Sequence, residues 1–288
     1  MEIHKIKNED CEIEVYRGSI KSIKILIGSN KYEILGYDAK NRVSSFIMAP
    51  WANRINEGKF KCAKGNFDLL EKNPFDFKHA IHGTAMFSEW TLNEASENYI
   101  SISTNLNKPW PYKGNVTFAI SLNDQSIKQE LSILNKDSDV MPFSMGWHPW
   151  FKRNLKDEVV KIKFDAKYKW ETKNEIPTSS KLDSNEIKYF FKGYSPEPGT
   201  LDECYRIKEK SLVYLVWPEL TLKINSSNEC GHLMVYTPSG PNSDLVCVEP
   251  QTATINPFQL NEKNVTDTGV LYVNPGESYK IFTEWSWR

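Results

Sequence analysis

Arginine is scarce in this chain of 288 residues: six stand against 30 lysines. Cysteine is scarce too, with five scattered at positions 11, 62, 204, 230 and 247 and none in a CxxC pair. An odd, dispersed set argues against a zinc ribbon and a disulfide framework and suits a reducing compartment. Net charge is nearly absent, 36 Lys+Arg against 37 Asp+Glu. That removes the electrostatic basis for a nucleic-acid or anionic-membrane partner. No apolar run approaches the roughly 20 residues that span a bilayer. Met1-Glu2-Ile3-His4-Lys5 leads into charge rather than an apolar core, so no secretory signal is read there and a cytoplasmic location is expected. No helical stripe exceeds two turns, and no repeat recurs at solenoid or propeller spacing.

Aromatic residues, by contrast, make up 12% of the chain, with nine tryptophans. Such side chains build a sheet-packed core or line a pocket for something flat. Period-2 alternation dominates the sequence. Ile100, Ile102, Thr104 and Leu106 alternate with Ser101, Ser103, Asn105 and Asn107, and Ile127, Leu131 and Ile133 with Lys128, Glu130 and Ser132. Residues 116–122, 159–164, 212–217, 220–224, 233–236 and 279–285 read the same way. Turn clusters separate them at 28–30, 93–98, 123–125 and 196–199. Many strands without a βαβ rhythm predict an all-β fold, an antiparallel sandwich or barrel. The polar stretch 174–185 and the Pro/Gly-rich 194–202 read as long loops, and one domain over residues 1–288 is expected.

Five segments set chemically capable side chains among aromatics and turn residues. In 49–55, Arg54 sits in an apolar, Pro-flanked stretch, where its fork of donors would either serve a ligand or tie down a loop carbonyl. His79 and His82 flank Ala80-Ile81 ahead of Gly83; as a metal pair they lack a helix and a third ligand, so no metal is expected. His148 lies among Phe143, Trp147, Trp150 and Phe151. An imidazole there is either a proton shuttle beside walls suited to a sugar ring, or a core histidine bonded to backbone. Asp202 and Glu203 follow the 194–202 loop, as a solvated pair or a binding pair. Glu249 is read as ending an apolar strand, fixed at a sheet rim by Pro250, against the plain alternative of an exposed strand end.

Together, Asn53-Arg54-Ile55, Ile81-His82-Gly83, Trp147-His148-Pro149-Trp150-Phe151, Leu201-Asp202 and Val248-Glu249-Pro250-Gln251 resemble, in order and spacing, the aldose 1-epimerase (galactose mutarotase) family. Glu175-Ile176-Pro177-Thr178 also resembles a turn common in that group. The resemblance covers residues 45 to 260 and implies a large antiparallel β-sandwich of the galactose-mutarotase type. It implies interconversion of the α and β anomers of a free aldose by ring opening, with a small-molecule sugar as partner and no cofactor. It assigns Glu249 as the base at the O1 hydroxyl, His148 as the acid at the ring oxygen, and Arg54, His82 and Asp202 to sugar binding. Trp147, Trp150 and Phe143 are candidate stacking walls, and Trp51 near Arg54 is read as facing the sugar.

Thr84 follows Gly83 where the galactose enzymes often carry Gly, Trp150 stands where Tyr is common, and Lys152-Arg153 replace Asn-Leu. These departures point to a divergent member and open the substrate question. Lys152 and Arg153 would suit a sugar phosphate, making a hexose-phosphate mutarotase the alternative enzyme. A non-catalytic carbohydrate-binding sandwich is the alternative outside enzymes. Monomer and dimer stay equally open.

Overall fold

The computed structural model describes residues 3–38, 44–70 and 78–288. The alternating segments fold as read. Tyr99–Asn105, Gly114–Asn123, Ser126–Asn135 and Ser278–Trp287 are successive antiparallel neighbours, in a register that aligns Ile102, Phe118, Leu131 and Ile281 across the sheet. All four are buried, each contributing about 1.5–3 kcal/mol from removal of its apolar surface from water. Thr91–Ala95 adds to one side of this row, and Thr221–Ser226, Val213–Val216 and Lys161–Lys163 to the other, giving an eight-stranded sheet.

An 11-stranded sheet packs on it to complete a large antiparallel β-sandwich. Its order is His4–Lys7, Cys11–Tyr16, Ser19–Ile27, Ser45–Met48, Gly146–Lys152, Leu245–Gln251, His232–Tyr236, Asp202–Ile207, Ala166–Lys173 and Ile176–Leu182, with Asn30–Glu33 alongside Ser19–Ile27. The central strands Ser45–Met48, Gly146–Lys152 and Leu245–Gln251 are buried almost throughout. One face packs on the smaller sheet and the other is covered as well, so their sequences carry no polar alternation.

That double burial corrects the rim reading of Glu249, which lies inside Leu245–Gln251 opposite Met234 of the neighbouring strand. Two loop readings also change. Ile176–Leu182 is a strand, joined to Ala166–Lys173 by a turn at Asn174 (φ 51°) and Glu175 (φ 67°). Asn93–Ala95 belongs to Thr91–Ala95, leaving the turn to residues 96–98.

Candidate active site

Side chains alternate faces along a strand, and the central strands use that rule to separate core from site. Ile47, Trp147, Val246, Val248, Leu233 and Val235 point between the sheets. Residues of the opposite parity, Phe46, Met48, Trp150, Cys247 and the half-buried Tyr236, gather on the other face. His148 and Glu249 share that second face at adjacent positions, since Gly146 pairs with Gln251 and Trp150 with Cys247.

His148 Nε2 lies 3.3 Å from Glu249 Oε1, both side chains almost fully buried. Glu249 Oε2 and His148 Nδ1 are left without a protein partner. The imidazole stacks against two rings, Phe46 at 4.6 Å and Trp150 at 5.4 Å between centroids. Burial pushes the Glu249 carboxyl well above the ordinary carboxylate range, with Asp202 reinforcing the shift and Arg54 opposing it. Burial also lowers His148 to about 3. Each group alone favours its neutral form because a low-dielectric surrounding penalises charge. Both shifts act in the direction that keeps one proton on the pair, a property of the two groups together.

A short ladder, Arg54–Ile55 with Ala80–Ile81, sets Arg54 and His82 above this pair. Its approach to the sheet depends on Gly83, at φ +76°, where a Cβ would stand 2.0 Å from the Ala49 carbonyl oxygen. Arg54 Nη2 donates to Asp202 Oδ2 at 2.9 Å, and its Nε lies 3.8 Å from Glu175 Oε2. His82, itself at φ 61°, places Nδ1 3.0 Å from Met48 Sδ. A thioether only accepts, so Nδ1 carries the proton and Nε2 is an acceptor. Burial, helped by His148 and Arg54, keeps His82 well below its usual range and hence neutral.

These groups border a cavity of about 350 Å³, lined by Arg54, His82, His148, Trp150, Asp202 and Glu249 among others. The size falls at the lower end of small-ligand pockets, about 300–1,000 Å³. All five residues named for acid/base work and sugar binding thus meet in one place. Trp150 joins them as a wall. Trp147 and Phe143 do not: both are fully buried in the inter-sheet core, because Trp147 has the opposite parity to His148 and Phe143 packs edge-on to Tyr279. Trp51 likewise packs on Trp110. Lys152 and Arg153 lie outside the cavity lining, the backbone N–H of Arg153 donating to Asp244 O. The phosphate reading loses its proposed cations. His79 lines the same cavity as His82, with its Nδ1 accepting from the Glu57 N–H at 3.1 Å.

Sequence reasoning missed Phe46, Met48, Met234, Tyr236 and the inward role of Glu175. The β-hairpin signal of polar Asn174-Glu175 between alternating flanks was available for Glu175. Nothing local marked Met48, whose contact with His82 spans 34 positions.

A sandwich of this connectivity, with its polar pair on the outer face of the larger sheet, is of the galactose-mutarotase type. The aldose 1-epimerase family model matches residues 12–286, and the chain belongs to that family. The uncharacterised protein YphB of Escherichia coli (strain K12) is 27% identical over 108 residues, 38% of this chain and 37% of that protein. The chain thus aligns with well under half the length of that curated relative. The aldose epimerase homologue from C. elegans superposes with a TM-score of 0.80 at 14% identity, over 100% of this chain and 98% of the other. A galactose mutarotase-like protein from Clostridium acetobutylicum superposes with 0.77 at 18%, also over 100% and 98%. At these identities the structural likeness speaks for the fold.

Proposed function

We propose that this protein is an aldose 1-epimerase that interconverts the α and β anomers of a free, unphosphorylated aldose. The observation that carries the reading is the His148–Glu249 pair, 3.3 Å apart and buried, on the floor of a cavity that also presents Arg54, His82 and Asp202. Opening a hemiacetal ring requires one proton to leave O1 and one to reach the ring oxygen as the C1–O5 bond breaks. In its carboxylate–imidazolium form, the pair does both. Glu249 takes the O1 proton and His148 gives one to the ring oxygen, yielding the aldehyde. Rotation about C1–C2 and reversal of the transfers closes the ring on the other face.

Burial makes the carboxylate–imidazolium form the less stable tautomer of the pair, so the reaction starts from a minor state. Ring opening converts carboxylate and imidazolium into carboxylic acid and neutral imidazole, the form that burial favours for both groups. The charge separation present at the start is relieved as the bond breaks, and the net charge of the pair is zero throughout. General acid–base transfer of this kind typically contributes about 10²–10⁴-fold in rate. The Arg54 guanidinium offers donors to vicinal sugar oxygens, Asp202 and His82 Nε2 offer acceptors, and Trp150 closes one side.

The test is polarimetry on freshly dissolved α-anomers of glucose, galactose and related aldoses, with and without a 6-phosphate. Acceleration that disappears in Glu249→Gln supports the proposal. Saturable binding without acceleration for any sugar makes the protein a carbohydrate-binding sandwich. Acceleration confined to phosphorylated sugars overturns the substrate class.

A further inference from the structure

The acid/base scheme leaves Cys247 unused. It stands two residues before Glu249 on the same strand, facing the same side and diagonal to His148 across the ladder. One ligand atom from each of His148, Cys247 and Glu249 lies within 4.8 Å of the others, and all three residues are buried. A tetrahedral ion bound at about 2.0–2.3 Å holds its donors about 3.3–3.8 Å apart. The His148–Glu249 separation of 3.3 Å already meets that spacing, and the third donor needs a side-chain adjustment of about 1 Å to reach it. Two polar atoms of the set, Glu249 Oε2 and His148 Nδ1, are buried without a partner.

We infer that His148, Cys247 and Glu249 form a binding site for a soft divalent cation of the zinc class, which shuts off the sugar site when filled. Thiolate and imidazole ligands favour such an ion over magnesium or calcium, which prefer oxygen. One thiolate and one carboxylate supply two negative charges, so the loaded site is neutral overall, as its burial demands. Three protein donors leave one position open to water from the adjoining cavity. The ion replaces the proton that the pair would otherwise shuttle and occupies the space of the sugar's anomeric centre, so binding of ion and sugar is mutually exclusive. The inference concerns an inhibitory ligand, and it stands on this donor set whether or not the protein is a mutarotase.

Cadmium is the probe, because a cadmium–thiolate bond gives an ultraviolet charge-transfer band that oxygen and nitrogen ligands do not. The titration uses the full chain in a Cys62→Ser background, which removes the half-buried thiol elsewhere. One equivalent of Cd²⁺ should raise the band to saturation. Cys247→Ala should abolish it, and Glu249→Gln should weaken binding by at least about 10-fold while the band remains. Zinc should compete for the same equivalent, and magnesium should not. Absence of a saturable band, or a band that persists in Cys247→Ala, overturns the site. Polarimetry in parallel separates the two proposals. Mutarotation slowed by Cd²⁺ in the Cys62→Ser protein and restored by chelation supports the inhibitory role, whereas a band with undiminished mutarotation overturns that role. A band in a protein that mutarotates no sugar sinks the enzymatic proposal alone.

Discussion

Replacing Glu249 by Gln keeps the shape of the side chain and removes its proton, so the variant measures how long the buried pair retains one. The unfolded chain titrates at ordinary values, 4.5 for Glu249 and 6.5 for His148. Between those values the unfolded pair holds one proton, as the folded wild-type pair does, and the pair contributes no pH dependence. The folded variant holds none there, because His148 stays neutral, while its unfolded chain holds one. Its stability therefore rises with pH by about 1.36 kcal/mol per unit. Above 6.5 the unfolded pair holds no proton. The variant then levels off, and wild type, still holding one, loses about 1.36 kcal/mol per unit.

In both windows the advantage of Glu249→Gln over wild type widens at the same rate, until the folded pair finally releases its proton. His82 and His232, also buried and neutral, affect both proteins equally and cancel. For a chain of this size the gap in Tm should grow by about 2–4 °C per pH unit, followed by near-ultraviolet circular dichroism from about pH 5 to about pH 8. Melting curves that keep a constant separation across that range would refute the reasoning. They would mean that Glu249 is already ionised beside a neutral imidazole, with no proton available to give the ring oxygen.

Activity should follow the same proton. With His148 lowered to about 3 and Glu249 raised, kcat/KM stays flat from about pH 5 to about pH 7; a limb near the ordinary imidazole value of about 6.5 would contradict this. Gly83→Ala forces a Cβ to 2.0 Å from the Ala49 carbonyl at φ +76°, so the urea midpoint should fall by the equivalent of about 2–4 kcal/mol. An unchanged midpoint would show that the 49–50 backbone yields easily. Trp147→Phe should cost about 1–3 kcal/mol in stability and leave KM for the sugar within about twofold. Trp150→Ala should raise KM, and the reverse pattern for this pair would exchange the faces assigned to them.

The strands of the smaller sheet were readable because one of their faces meets water, which prints polar residues at every second position. Ser126–Asn135 shows this, with buried and half-buried residues alternating over most of its length. Gly146–Lys152 and Leu245–Gln251 show the opposite. Their two buried faces erase the alternation, so Glu249 looked like a strand end when it is a strand interior. The site residues themselves were visible as isolated polar groups in apolar surroundings. Which aromatics accompany them was not. Trp147 and Trp150 both neighbour His148 in sequence, and only the assignment of a strand there, with its parity, sends one to the core and the other to the cavity. Met48 and Tyr236 were beyond reach because they arrive from other strands.

The alternation of side-chain direction along Gly146–Lys152 makes the inter-sheet core a phase lock for the His148–Glu249 pair. A slip of one residue against Leu245–Gln251 would turn His148 into the core and Trp147 into the cavity. The packing of Trp147 and Val248 between the sheets therefore excludes the one error that would exchange cavity-facing and core side chains wholesale. Insertions in the hairpin turn at Asn174-Glu175 change the cavity mouth without touching that phase, whereas a single inserted residue before His148 within its strand reverses it. The chain can thus vary what it recognises far more freely than the pair with which it would act.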